Sequence, residues 1–259
     1  NRGAALMSES IVLKLSGKAL DSTAELLALF KKASGRRLVV VHGGGVEVDA
    51  LFSSLGLKVE KKDGLRVSPK EQMPYISAAL CGMCNKKLQS LAIACGLNAL
   101  GLTASDGQTL KVECLKPELG MVGKVEPYKA EFLQMLLNNG ITPVMASVAI
   151  DSKGDMYNVN ADHVAVAVAQ LLKAPLYFLS DVKGVLDSHG ALIENLDRNS
   201  IDSLVADGTV SEGMAVKVKS ALHASELTGR SVYIASVKDP LLCENLLAGR
   251  RLGTSINGQ

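Results

Sequence analysis

Short apolar runs alternate with helical stretches along this 259-residue chain, and no other feature limits its fold as strongly. The runs "SIVLKLS" (10–16), "LVVVH" (38–42), "NALGLT" (98–103), "TLKVE" (109–113), "TPVMASVA" (142–149), "PLYFLSD" (175–181) and "SVYIAS" (231–236) read as strands. Several are apolar at nearly every position, as strands buried on both faces must be. Helical patterns separate them, at 22–33, 46–55, 69–95, 127–139, 161–172, 199–207, 213–228 and 239–248. "KKDGLRVS" (61–68) reads as a β-hairpin turning at Asp63-Gly64. This order predicts an α/β three-layer sandwich, a mostly parallel sheet with helices on both faces. A soft seam at "LLKAPLYF" divides it into two lobes, 8–173 and 174–259. The opening "NRGAAL" precedes Met7, reads as an expression remnant and is set aside.

Composition narrows the function classes. A formal net charge of +2 gives no concentrated positive field for nucleic acid or a membrane surface. No apolar run approaches the ~20 residues of a membrane span, and no signal-peptide pattern opens the chain. Five cysteines, an odd number, fit a reducing cytoplasm. Cys81 and Cys84 have CxxC spacing, but they sit mid-helix by pattern without further zinc ligands nearby, so they read as packing.

The stretch "LVVVHGGGVEVD" (38–49) places three glycines where a strand hands over to a helix. The dinucleotide fingerprint fails, because Val48 stands where its third glycine belongs. A P-loop at "VLKLSGKA" fails as well, with Val12 and Ala19 at required Gly and Ser/Thr positions. The shared physics survives both failures. Glycines at a helix N-terminus let a ligand approach exposed N–H groups, and the helix dipole favours an anion there. One glycine would have made the turn. Lys14 interrupts an otherwise apolar strand; if that strand is buried, its charge needs an anionic partner. "MYNVNADHVAVAVAQLL" (156–172) sets Asn158, Asn160 and Asp162 before a very apolar helix, more polar groups than capping requires. Lys217 and Lys219 share a helix but point to nearly opposite sides, so one can be solvated while the other reaches a site.

"IVLKLSGKAL", "LVVVHGGG", "KKDGLRVS", "YNVNAD", "LSDVKGVL" and "EGMAVKVKSAL" occur in that order, and together they resemble the amino-acid kinase superfamily, within it the acetylglutamate kinases. The resemblance covers Ser8 to the C-terminus, with "GLRVS" and "NVNAD" its most specific parts. It implies ATP-dependent phosphorylation of the γ-carboxylate of N-acetyl-L-glutamate, a step of arginine biosynthesis, by a cytoplasmic enzyme. It implies that the N-terminal lobe binds the acyl amino acid and the C-terminal lobe binds ATP. By motif, Gly44, Gly45, Arg66 and Asn158 would bind the acid. Lys14 and Lys217 would flank the transferring phosphoryl group, with Asp162 orienting both. Gly17, Asp181, Val182, Lys183, Gly184, Val185 and Leu186, with Thr209, Val210 and Ser211, would line the nucleotide pocket. Mg²⁺ would arrive with ATP rather than occupy a protein site. The 69–95 helix would build a homodimer. Because the first strand starts so soon after Met7, the resemblance further implies an enzyme that arginine does not inhibit. Ser16-Gly17 departs from the family's usual double glycine.

The implied chemistry agrees with the residues. Phosphoryl transfer needs positioning and positive charge more than covalent chemistry. An acceptor carboxylate is already ionised at neutral pH, so no general base is required. His42, His163, His189 and His223 show no catalytic or metal spacing and read as structural. Sibling kinases of aspartate, glutamate, carbamate or a uridine nucleotide fit Arg66 and "NVNAD" less well. A kinase of N-acetylaminoadipate or a carrier-bound acid is the nearest competitor. A non-catalytic sensor of nucleotide or amino acid would have no use for Lys14, Lys217 and Asp162 together.

Overall fold

The computed structural model describes residues 9–62, 64–210 and 212–258. Fourteen strands are found among them: β1 (Ile11–Leu15), β2 (Leu38–His42), β3 (Lys61–Lys62), β4 (Leu65–Arg66), β5 (Asn98–Thr103), β6 (Leu110–Cys114), β7 (Val122–Pro127), β8 (Ile141–Ala146), β9 (Val148–Ile150), β10 (Met156–Val159), β11 (Leu176–Ser180), β12 (Asn195–Leu196), β13 (Val232–Ser236) and β14 (Thr254–Ile256). The α-helices are α1 (Thr23–Lys32), α2 (Gly45–Ser54), α3 (Met73–Ser77), α4 (Asn85–Ala94), α5 (Glu131–Asn138), α6 (Ala161–Leu172), α7 (Arg198–Ala206), α8 (Glu212–Thr228) and α9 (Leu242–Leu247).

Eight strands form the central sheet in the order β12-β14-β13-β11-β1-β2-β8-β5. The six from β13 to β5 are parallel, and β14 runs antiparallel to β13. Strand alternation sorts side chains into two cores. Val12, Val39, Val41, Met145 and Phe178 face a core shared with α5, α6 and α8. Leu13, Leu15, Val40, Val144 and Leu179 face the other, with α1, α4 and α9. The expected sandwich is therefore present, with helices on both faces. The pairing of β1 with β11 carries the sheet across the 173/174 seam without a break. At that seam α6 ends on Lys173, held in the left-handed region at φ 52°.

Three expectations need correction. "TPVMASVA" is two strands: β8 lies in the central sheet, whereas β9 joins a second sheet, β6-β7-β10-β9. The turn at Ser147 parts them because the buried run serves two sheets in succession. β7, β10, β12 and β14 lie outside the runs that read as strands; β12 and β14 are too short for their alternation to register. The 69–95 helix is not uniform. It opens with a 3₁₀ turn at Lys70–Gln72, continues as α3, widens into a π-helix over Ala78–Cys84 and closes as α4. Such wide turns often mark functional sites. Here the π segment lies under the glycine turn, where a Cβ on Gly44 would strike Cys84 Sγ and come within 2.9 Å of Leu80 Cδ2.

Lys173→Gly should raise unfolding stability by about 1 kcal/mol, since glycine relieves the left-handed cap. Denaturant melts of the two proteins measure it; equal or lower stability of the variant would refute the cap argument.

Candidate active site

Strand register delivers the first catalytic candidate. Lys14 lies two positions after Val12 in β1, so it points to the α6 side of the sheet. Its side chain is 9% exposed and meets Asp162 Oδ1 at 2.6 Å. Asp162 is available for this because it is not the cap of α6. Asn160 caps the helix, accepting from the N–H groups of Asp162 (2.8 Å) and His163 (3.2 Å). The clustered polar residues thus divide their work: Asn160 holds the helix, and Asp162 holds the lysine.

Lys217, on α8, joins the pair from the C-terminal half. Its Nζ donates to Ser180 Oγ at the end of β11, at 3.3 Å. Burial depresses its pKa, and the charge of Lys14 adds to that; Asp162 and Asp181 oppose the shift. Two ammonium groups and two carboxylates therefore meet where β1 and β11 end. Lys219 is directed elsewhere, into an ~860 Å³ groove that it lines with His163 and His223.

The three glycines divide by function. Gly44 is demanded by the fold, with φ 159° and no space for a side chain over Cys84 and Leu80. At Gly43 an added Cβ would make only an ordinary 3.6 Å contact with Ala161, and at Gly45 it would meet nothing within 4 Å. Neither residue is needed for packing; both leave backbone open to a ligand. They stand between two cavities. One, of ~240 Å³, is lined by Lys14, Ser16, Gly17 and the glycines; the other, of ~330 Å³, by Arg66, Asn158, Asn160, Ala161 and the same glycines.

Arg66 reaches the second cavity from β4. It pairs with Asp49 of α2, donates to the Gly45 carbonyl at 3.3 Å and lies over the Phe52 ring at 5.5 Å. Burial would raise the Asp49 pKa, but the Arg66 hydrogen bond and charge, with Lys61, hold it below the usual range. Arg66 Nη1 is buried with no hydrogen-bond partner among the described residues. The Arg66 side chain lines the cavity, and its planar donor fork fits a ligand carboxylate. Asn158 extends from β10, its amide donating to the buried Ser68 Oγ at 3.2 Å.

The remaining candidates separate. Asp181 and Val182 follow β11, and Asp181 lies close enough to act on Lys217. Lys183 and Leu186 are exposed beyond them. Val185 and Val210 are buried in one apolar core, and Gly184 is crowded by Thr254 and Leu192, so these three shape the loop rather than present side chains. Thr209 is pinned by Asp207 through its N–H, at 2.9 Å. Ser211 lies outside the described residues. Sequence reasoning missed Asp49, Ser68 and Ser180. Only Asp49, four residues after Gly45 on a helix, carried a signal, since i and i+4 share a face.

Replacing Lys217 by methionine should raise the melting temperature of the unliganded protein while cutting kcat by orders of magnitude. With its folded pKa lowered, the charge costs stability at every pH below that value, and the cost fades as pH rises toward the unfolded value. Lys219→Ala should leave both nearly unchanged. Melting curves at neutral pH with steady-state rates decide it; a destabilised Lys217→Met would show that the charge is compensated.

Residues 9–236 match the amino acid kinase family. The acetylglutamate kinase of Vibrio campbellii is 46% identical over 250 residues, covering 94% of this chain and 95% of the relative. That of Aeromonas salmonicida is 43% identical over 254 residues, covering 96% and 98%. The crystal structure of smu.665 from Streptococcus mutans UA159 superposes with a TM-score of 0.81 at 30% identity, covering 96% of this chain and 98% of that one. A chain this similar to such relatives along nearly its whole length belongs to the amino acid kinase family, in its acetylglutamate kinase branch.

Proposed function

We propose that this kinase transfers the γ-phosphoryl group of ATP to the γ-carboxylate of N-acetyl-L-glutamate, forming N-acetyl-L-glutamyl 5-phosphate in arginine biosynthesis. The observation that carries the reading is the convergence of Lys14, Asp162 and Lys217 beside a glycine turn with an anion-sized cavity on each side. The acid occupies the Arg66 cavity. The Arg66 guanidinium takes its α-carboxylate, and Asn158 contributes a further polar contact. The nucleotide approaches from the side of Gly17 and the loop after β11, with Asp181–Leu186 and Thr209–Ser211 along its path.

The chemistry follows from charge. Two anions, a carboxylate and a triphosphate, must be brought together against their repulsion. Lys14 and Lys217 neutralise the equatorial oxygens, and glycine N–H groups donate hydrogen bonds to them as charge develops. Asp162 aims Lys14 and moderates the repulsion between the ammoniums. Mg²⁺, carried by the nucleotide, supplies further charge neutralisation on its phosphates. The carboxylate oxygen attacks phosphorus, the bond to the β,γ-bridging oxygen breaks, and ADP leaves. No proton is abstracted from the acceptor.

A coupled ADP-release assay across N-acetylglutamate, glutamate, aspartate and N-acetylaminoadipate tests the reading. Turnover should be highest with N-acetylglutamate and poor with glutamate; equal rates for the two would overturn the substrate. Arg66→Lys should raise KM for the acid at least about tenfold and leave KM for ATP nearly unaltered, because lysine lacks the planar fork. An unchanged KM for the acid would remove Arg66 from the site.

A cytoplasmic setting and a homodimer complete the proposal. The five cysteines are all free thiols, as in a reducing compartment. Met83 and Ile93 are exposed on the 73–94 helical rod, beside the unpaired edge of β5. Exposed apolar side chains on a rod next to the terminal strand of the sheet suit a two-fold contact that covers both. Light scattering after gel filtration should give the mass of two chains; the mass of one would refute the dimer.

A further inference from the structure

We propose that His42, held in one tautomer by Asn85, is a positioning residue that aims the Gly43–Gly44 peptide so that its N–H faces the transferred phosphoryl group. The inference rests on the kinase reading above and extends it to two buried residues that the mechanism has not used.

The hydrogen bonds leave one self-consistent arrangement. Asn85 is almost fully buried at the start of α4. Its Nδ2 lies 2.8 Å from the Val144 carbonyl, which only accepts, so that end of the amide is the donor. The same Nδ2 lies 3.0 Å from His42 Nε2. Its second hydrogen therefore points at the ring, and Nε2 must accept. The ring proton is then on Nδ1, which lies 2.7 Å from the Gly43 carbonyl and donates to it. His42 is wholly buried, and burial, with the nearby charge of Lys14, lowers its pKa to about 4 against the opposing hydrogen bond to Gly43. The imidazole is thus neutral at physiological pH and fixed at both nitrogens.

The consequence lies in the peptide plane. A trans peptide points its C=O and N–H in opposite directions. Tying the Gly43 carbonyl to the ring turns the Gly44 N–H away from it. No hydrogen bond from that N–H is found among the described residues. Glycine torsions are soft enough to let this plane swing, so a fixed ring restores the preorganisation that electrostatic catalysis requires.

The surrounding fold makes room for the device. A Cβ on Gly101, in the interior of β5, would overlap Asn85 Oδ1. That glycine has no turn to make; a side chain there would meet the Asn85 amide and, less closely, Lys86 Nζ and Gln89 Oε1, so its smallness lets the amide lie against the edge strand. The π-helix ends at Cys84, one residue before Asn85, and its wide turns set both the amide on His42 and Cys84 against Gly44.

The test pairs spectroscopy with kinetics on the full chain. Nitrogen-15 correlation spectra of the imidazoles should show His42 as the Nδ1–H tautomer, neutral down to about pH 5. His42→Leu fills the buried site without a donor. His42→Asn is smaller and more polar, but its amide nitrogen can occupy the place of Nδ1 and donate to Gly43. We expect kcat of the Leu variant to fall about ten- to a hundredfold, with both KM values within about threefold. The Asn variant should melt lower than the Leu variant yet turn over about tenfold faster. A purely structural histidine would give the opposite order, with activity following stability. Should His42→Leu fail to fold, Asn85→Leu takes its place, and it should both release the Nδ1–H tautomer and lower kcat. An Nε2–H tautomer in the unaltered protein, activity that follows melting temperature, or a released tautomer with unchanged kcat would each overturn the proposal. Failure of the unaltered enzyme to phosphorylate any acid would instead refute the kinase reading, leaving the tautomer spectrum to judge the hydrogen-bond relay.

Discussion

The contact between Lys14 and Asp162 organises the site, because it joins the middle of the central sheet to the helix that covers it. Burying an ion pair is a poor route to stability, since lost hydration offsets most of the attraction. A second cation, Lys217, beside the pair makes the unliganded site still less favourable. The arrangement makes sense as a place prepared for negative charge. A phosphoryl group in transfer spreads charge over several oxygens, and preorganised cations stabilise it without reorganisation at the moment of reaction.

The rest of the fold holds that centre in place from several directions. β1 supplies Lys14 by alternation, and α6 supplies Asp162 two residues inside an Asn160 cap. α8 brings Lys217 from the other half of the chain, anchored on the end of β11. On the far side, Arg66 is held at the wall of the second cavity by Asp49, the Gly45 carbonyl and the Phe52 ring, so its guanidinium is fixed before any ligand arrives. The glycine turn lies between the two groups and lines both cavities, and the turn is seated on a π-helix rather than on regular helix. Each ligand can thus be held by its own side chains while sharing one backbone turn.

Much of this was legible from the residues. The parallel sandwich follows from apolar strands alternating with amphipathic helices, and the bounds of β2 and α6 coincide with the runs that suggested them. Lys14 stood out because a cation in a buried strand has to be explained. Lys217 did not separate from Lys219 on physical grounds alone; the resemblance chose between them, and the groove lined by Lys219 gives that choice a physical reason. Val185 and Val210 show the reverse, since a motif ran through core positions that present no side chain to a ligand.

The sequence by itself determined the elements, their alternation and the chemical types that would meet, because hydrophobic period and glycine placement are local properties. Only the tertiary structure decided which groups are partners. Asp162 turning from cap to counter-ion depends on Asn160 two residues before it and on Lys14 far away in the chain. Asp49 becomes the support of Arg66 only when the hairpin folds over α2. The division of the "TPVMASVA" run between two sheets, and the π turns beneath Gly44, arise from packing against distant strands and helices. The tautomer of His42 is set by an amide 43 residues away. Period and propensity cannot express such pairings, because their free energy comes from desolvation and hydrogen bonding between groups that sequence distance does not relate.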